Sequence, residues 1–385
     1  GFFTYQVQKA TRLVMLGSSD SRFDSWTTRI REFISGWLFQ KKVLRDKVAG
    51  IMHVLMFWGF LMLSTDMFDL ATANAFSDKV LPEILVGPWN GMVELGYFMA
   101  LIGCVSALTR RVVFTPEKLK GKSQLEGNAI LLLIFTITTT SFMVESAESP
   151  SAFWEPLGYW FSEQGLSEQT VVISYWAHML AISVFLFLIP LSKHMHLVMA
   201  VPNVFFHDAG PMARMTPLAI GDDGKAVSLE DLDIDSFGVS TYNQYSWRQL
   251  IDGWSCTSCA RCQDVCPAYA SGKGLNPMQV IHDVRNYANE HAPILLSGNQ
   301  PEETILERIT EEAVWACTTC NACVDVCPLY IEHVPKLTDL RRNAMMETME
   351  YPEVLNTAMG NIESASNPYG FGAHERADWA SDLGV

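Results

Sequence analysis

Eight of the nine cysteines stand in two copies of one pattern: Cys256, Cys259, Cys262 and Cys266 before Pro267, and Cys317, Cys320, Cys323 and Cys327 before Pro328. Three thiols at two-residue gaps wrap one cubane cluster. The fourth, three residues on and directly before proline, points away and reaches a second cluster. Cys256, Cys259, Cys262 and Cys327 would therefore hold one [4Fe–4S] cluster, and Cys317, Cys320, Cys323 and Cys266 the other. This crossed assignment obliges two distant segments to fold against each other. Zinc sites prefer two separated Cys-x2-Cys pairs, and two identical four-thiol groups suggest metal rather than a disulfide framework.

The stretch between the two groups is long and carries helical pattern over Met278–Ala288 and Glu303–Ala316. That predicts a helical ferredoxin-like domain over 247–350 rather than a small β-α one, with Trp254 and Trp315 packed beside the thiol groups. No alternating strand and no nucleotide-binding glycine loop can be read. Residues 351–385 read as a loop-like tail.

The first half of the chain has a different character. Four apolar segments, Ala49–Thr65, Pro88–Leu108, Asn128–Val144 and Val171–Ala200, reach or approach the roughly 17–25 residues that cross a bilayer. Four such runs leave too few polar faces for a water-soluble shell. The fold class expected is all-α: a polytopic transmembrane bundle over 49–200 joined to the helical two-cluster domain. Residues 1–48 read as a basic segment, and 201–246, rich in Pro, Gly and acids (Glu230, Asp231, Asp233, Asp235), as a connector. The start Gly1-Phe2-Phe3 resembles the tail of an apolar segment, which predicts a further helix before it.

Loop charge sets the expected orientation. Lys9 to Lys47, and Arg110, Arg111, Lys118, Lys120 and Lys122, lie on one side; Asp66, Asp69, Asp78 and Glu83, and Glu145 to Glu168, lie on the other. The basic loops, and with them the cluster domain, are expected in the cytoplasm. Residues 201–385 hold 26 acidic against 11 basic side chains. That balance argues against a nucleic-acid partner.

Imidazoles in apolar spans need a reason. His53 lies in the first segment, and His178, His194 and His196 in the fourth. On an ideal helix 18 residues make five turns, so His178 and His196 share one face and His194 faces elsewhere. His53 and His196 lie near the same end of their spans and would clamp one haem b, with Lys193, Lys47 or Arg45 within reach of its propionates. His178, near the opposite end, is the candidate ligand for a second haem, but its partner position holds Leu63; one haem is favoured. Glu94 lies at a depth similar to His178. The two could relay protons at a quinone site or form a structural hydrogen-bonded pair.

Residues 49–200 resemble the gamma subunit of respiratory nitrate reductase, on His53, His178, His196 and the run LIPLSKHMH. The departure is Leu63, where that family carries a fourth haem ligand. CTSCARCQDVCPAYASGKGLNP, WACTTCNACVDVCPLYIEHVPKLTDLRR and the NPYGF and ADWASDLGV stretches resemble the iron–sulfur parts of heterodisulfide reductases and of glycolate and glycerol-3-phosphate dehydrogenases. The fusion of both parts resembles the membrane-bound iron–sulfur oxidoreductases that pass electrons from electron-transfer flavoprotein to menaquinone. Members of that family continue into cysteine-rich CCG modules, so one is expected to follow residue 385.

The resemblance implies a multi-pass protein of a bacterial or archaeal cytoplasmic membrane, with menaquinone as substrate and electron-transfer flavoprotein, or another flavoprotein or dehydrogenase subunit, as partner. Two other readings keep the same carriers: a heterodisulfide-reductase-like quinol/dithiol oxidoreductase, and a non-catalytic relay subunit of a larger respiratory complex.

Overall fold

The computed structural model describes residues 1–76, 83–114, 122–148, 150–211 and 237–381. Lys118, Lys120, Asp78 and the acidic run Glu230–Asp235, used above for orientation and for the connector, lie outside the described residues. The helices used below are α1 (Phe2–Val14), α2 (Trp26–Phe33), α3 (Lys47–Phe76), α4 (Glu83–Val112), α5 (Lys122–Glu145), α6 (Pro156–Glu163), α7 (Glu168–Leu188), α8 (His196–Phe205), α9 (Trp247–Ser255), α10 (Pro277–Glu290), α11 (His333–Asn343) and α12 (Val354–Ala365). No strand occurs among the described residues, and the fold is all-α as expected. One isolated parallel bridge joins Ser18 to Ser246.

Four helical stretches are long and apolar enough to cross a membrane: Lys47–Thr65, Leu85–Val112, Gln124–Glu145 and Glu168–Leu191. α3 and α4 approach closely because small residues meet at their contact. A Cβ on Gly59 would stand 2.7 Å from the Gly96 carbonyl and 2.8 Å from the Ala100 nitrogen, and one on Gly103 would stand 2.8 Å from the Met56 side chain. Helices in lipid gain from such packing because no hydrophobic difference drives them together. α5 joins α4 to α7, and its threonines return their hydroxyls to the preceding turn, as Thr138 does to the Ile134 carbonyl at 2.9 Å. Outward faces carry Phe98, Ile102, Leu132, Ile173 and Leu180, all exposed as lipid-facing side chains are.

The fourth apolar segment is not one helix. α7 stops at Leu188, Pro190 has no N–H to continue the ladder, and Ser192 is extended at φ −124°, ψ 176°. Two 3₁₀ turns, Ile189–Leu191 and Lys193–Met195, precede α8. The five-turn register expected between His178 and His196 therefore does not apply, and His196 opens a separate helix.

Residues 1–48 are woven into the cluster domain. Ala10, Leu13 and Val14 of α1 share one buried core with Tyr242, Tyr245, Leu250, Trp254, Val284 and Tyr287. The Tyr242 hydroxyl donates to the Leu13 carbonyl at 3.2 Å. Buried Arg29 on α2 donates to the His207 carbonyl at 2.7 Å and to the Asp24 carbonyl at 2.8 Å. The predicted helix Glu303–Ala316 is broken into Ile305–Ile309 and Glu311–Ala316, because Thr310 sits at φ 74° and caps the second piece.

Candidate iron–sulfur and haem centres

The two cysteine loops have the same backbone course. The second residue after Cys256 and after Cys317, Ser258 and Thr319, sits at φ 56° and 54°. The fourth, Ala260 and Asn321, sits at φ 62° and 60°. L-residues enter this left-handed region only under constraint. Two such residues curl each loop tightly enough to set three thiols around one centre. Short helices at Arg261–Asp264 and Ala322–Val326 then carry the chain to Cys266 and Cys327, both extended, where the following proline stops it.

The fourth thiol of each loop lies with the other loop. Cys266, Cys317, Cys320 and Cys323 line one cavity together with His333, Leu275 and Leu337. Cys327 is close enough to Cys259 and Cys256 for their charges to interact, and Cys262 to Cys327, Cys256 and Cys259. Burial, with this mutual repulsion, pushes the Cys256 thiol up to about 11 and those of Cys323 and Cys327 up to about 12. Eight clustered thiolates in this setting need positive charge at their centre. No three candidate ligands among the described residues crowd closely enough for a single ion. A cubane would spread its four thiolates over four irons.

Each loop has polar support. His282 Nε2 lies 3.6 Å from Cys256 Sγ and 3.1 Å from Ser258 Oγ. Arg341 donates to the Val314 carbonyl at 2.7 Å, beside Cys317. Behind Cys256 lies a fully buried ion network. Asp252 accepts from Arg248 at 2.8 Å, from Lys336, and from the Glu332 backbone N–H at 3.1 Å, while its own carbonyl accepts the Cys256 N–H at 3.1 Å. Arg248 also donates to Asn203 Oδ1 at 2.9 Å and to the Phe206 carbonyl at 3.0 Å, tying α8 to the cluster domain.

The histidines are held as metal-ligating imidazoles usually are, with one ring nitrogen fixed and the other free. His53 Nδ1 pairs with Gln40 Oε1 at 2.8 Å, and His196 Nδ1 with the Lys193 carbonyl at 2.9 Å. His53 and His196 lie within electrostatic range of each other. His194 Nδ1 pairs with Ser192 Oγ at 3.0 Å. His178 Nδ1 pairs with the Ile137 carbonyl and Thr140 Oγ1, each at 3.1 Å. Glu94 is not joined to His178. Its Oε1 accepts the backbone N–H groups of Leu157 and Gly158, both at 2.7 Å, at the start of α6. Arg45 faces the cluster domain, paired with Asp325 at 2.9 Å.

One short loop touches both kinds of site. Gln40 holds His53. Two residues on, the Lys42 carbonyl and its neighbour on Val43 accept the Arg261 guanidinium at 2.9 and 3.0 Å, and Arg261 lies between Cys259 and Cys262. Lys42 stands 3.9 Å above the Tyr330 ring and near Cys327. Arg45 and Asp325 close the same seam from the second cysteine loop.

Comparison with known proteins bears directly on this arrangement. Residues 248–328 match the 4Fe-4S dicluster domain. The EtfAB:quinone oxidoreductase of Syntrophomonas wolfei is 30% identical over 94% of this chain and 55% of its own length. The probable iron-sulfur-binding oxidoreductase FadF of Bacillus subtilis is 28% identical over 99% of this chain and 59% of its own length. The chain thus carries a 4Fe-4S dicluster domain and is similar over nearly its whole length to iron–sulfur oxidoreductases of this type. It spans a little over half the length of these two relatives. A probable membrane-anchored ferredoxin of Chromohalobacter salexigens is 33% identical over 42% of the chain. No solved structure matches.

Several residues that shape this iron–sulfur protein escaped the motif reading. Gln40 sits in a left-handed turn at φ 52° and is only 4% exposed, a burial that a lone Gln in a basic stretch does not announce. Arg261 falls between ligands and reads as filler. The Asp252 network left only a faint trace, the i,i+4 pairs Arg248/Asp252 and Glu332/Lys336. The crossed ligation carries a direct test. Cys327→Ser is expected to alter the cluster wrapped by Cys256, Cys259 and Cys262, and Cys266→Ser the other one. EPR that resolves the two signals would refute the crossing if each substitution altered its own loop's cluster.

Proposed function

We propose that the chain carries electrons between a cytoplasmic flavoprotein donor, reduced electron-transfer flavoprotein in the first instance, and menaquinone in the membrane. The clusters and a b haem, when bound, supply one-electron carriers that divide the two-electron exchange of a flavin. Cys256, Cys259, Cys262 and Cys327 hold one cluster, Cys317, Cys320, Cys323 and Cys266 the other, and His53 and His196 the haem iron. The observation that carries this reading is the Gln40–Arg45 loop. It contacts His53 at one end and the loops of both cysteine groups at the other, so the two redox regions share one rigid seam. The similarity to the EtfAB:quinone oxidoreductase, over 94% of this chain, supports the donor and the acceptor.

Within this reading the chain's own groups have distinct tasks. Gln40 and the Lys193 carbonyl fix the imidazole tautomers, which would leave each Nε2 as the nitrogen to hold a haem iron. Arg261 and Arg45 hold the cluster domain against the membrane domain. His178, with Nδ1 committed to α5, keeps Nε2 available near the far end of the bundle. Glu94 serves there as a cap on α6, and a proton role for it beside His178 would need a carboxylate freed from Leu157 and Gly158. The deciding experiment adds reduced electron-transfer flavoprotein to the full-length protein and follows the haem band with a menaquinone analogue present. Reduction of the haem followed by reoxidation supports the proposal; a haem that stays oxidised ends it.

The seam makes a graded prediction. Arg261→Ala removes two hydrogen bonds to backbone carbonyls and is expected to slow cluster-to-haem transfer, because tunnelling is sensitive to small displacements. Arg45→Ala removes an exposed ion pair, its partners 48% and 45% exposed, with a hydrogen bond to the Asp325 carbonyl; such exposed pairs contribute only about 0–1 kcal/mol, and the rate should stay near wild type. Stopped-flow haem reduction separates the two, and equal effects would argue against Arg261 as the coupling contact.

A further inference from the structure

We infer that a phosphate site for an anionic phospholipid lies where the cluster domain meets the membrane, in a cavity between α1, the turn after α7, and α10. The cavity holds about 260 Å³. Gln6 and Lys9 enter it from α1, and Arg285, Asn286 and Asn289 from α10. Among the described residues none of these five side chains makes a hydrogen bond to the protein. Lys193 contributes a third positive charge, against one carboxylate, Glu126, which accepts the Lys193 backbone N–H at 3.0 Å. Guanidinium, ammonium and amide donors converging on one space are the chemistry that recognises a phosphate.

Depth decides which source of phosphate the cavity meets. The Phe2 ring stacks on Phe187 at 4.6 Å, in the last turn of α7 and so among acyl chains. At 1.5 Å per residue, Gln6 and Lys9 stand about 6 and 10 Å further up α1. The polar layer of each leaflet is about 5–8 Å thick beyond the hydrocarbon. The cavity, floored by Pro190 and Leu191 at the end of the fourth span, is thus at headgroup height. Basic pockets at the ends of membrane helices are where anionic headgroups bind. The walls are mostly polar, which disfavours the planar apolar ring of a quinone. Because the cavity joins α1, the membrane bundle and α10, an occupied site straps the cluster domain down beside Ser258 and Cys256.

The test uses the full-length protein, clusters and haem loaded, in nanodiscs of phosphatidylcholine with or without phosphatidylglycerol. Wild type is expected to retain phosphatidylglycerol in native mass spectrometry and to melt at higher temperature when it is present. Lys9→Gln with Arg285→Gln should weaken retention about tenfold or more, the loss of charge-assisted contacts, and abolish the shift in melting while the cluster EPR signals persist. If that variant fails to load its clusters, Asn286→Ala and Asn289→Ala are read instead, with a several-fold loss expected. Unchanged retention in the variants that load their clusters overturns the site. Equal stabilisation by inorganic phosphate in pure phosphatidylcholine discs overturns the lipid assignment, and so does displacement of phosphatidylglycerol by a menaquinone analogue.

Discussion

His53→Ala is expected to abolish the b-haem spectrum while both cluster signals remain. His53 is fixed by Gln40 at 2.8 Å and lies within electrostatic range of His196, which is fixed by the Lys193 carbonyl at 2.9 Å. The substitution takes away one of the two imidazoles that would hold the haem iron. Metal-site ligands lost in this way abolish binding, whereas loss of a supporting partner typically weakens it 10–100-fold. Gln40→Leu should accordingly retain haem with reduced occupancy and a shifted midpoint potential. His194→Ala should leave the spectrum unchanged, because His196 rather than His194 is the imidazole within electrostatic range of His53. Quinone reduction should fall to background in His53→Ala and stay near wild type in His194→Ala. Retention of the spectrum in His53→Ala, with loss in His194→Ala, would reverse the pairing. His178→Ala adds a separate count: a fall in haem per chain to half would reveal a second haem that the Leu63 position speaks against.

The parts of this architecture legible in the sequence are those fixed by local chemistry. Thiol spacing and the prolines after Cys266 and Cys327 dictate how each loop turns, so the two four-thiol groups could be sorted without coordinates. Span length and apolarity are likewise local, and four helices long enough to cross a membrane emerge, three with ends shifted by a few residues and the fourth ending at Leu191 rather than Ala200. What could not be read depends on where the chain bends. Pro190 with extended Ser192 divides the fourth segment, and that break sets the direction of His196 independently of His178. α1 was hidden for a related reason. Its Ala10, Leu13 and Val14 face the cluster domain, and a helix whose partner lies more than 200 residues further on leaves no local sign of it. Gln40 and Arg261 matter through one carboxamide and one guanidinium placed by that same long-range packing. The segment before α3, read from charge alone only as basic, supplies the seam between the two halves.

Asp252→Asn is expected to be the most destabilising conservative change in the cluster domain, by about 3–5 kcal/mol. The substitution keeps the shape and removes one charge from a site where Arg248, Asp252 and Lys336 are 0–1% exposed. Burial by itself opposes ionisation of Asp252, but Lys336 and Arg248 outweigh it and bring its carboxyl down to about 2. A carboxyl depressed in this way stabilises the fold at every pH above the ordinary carboxylate range, and the contribution fades as pH falls toward 2. Neutral Asn would leave two buried cations facing only carbonyls and Glu332, which already serves Arg22 at 3.2 Å. Because Asp252 also receives the Cys256 N–H on its carbonyl, unfolding here should release the first cluster before the second. Thermal bleaching of the cluster absorbance, with EPR on partly bleached samples, measures both the loss and its order. A companion variant, Asp252→Leu with Lys336→Met, removes one cation together with the anion and should recover part of the loss, since apolar replacement of buried pairs is often neutral. If Asp252→Asn bleaches within about 1 kcal/mol of wild type, the network is dispensable, and the joint between α8 and the cluster domain rests on Asn203, Phe206 and the apolar core instead.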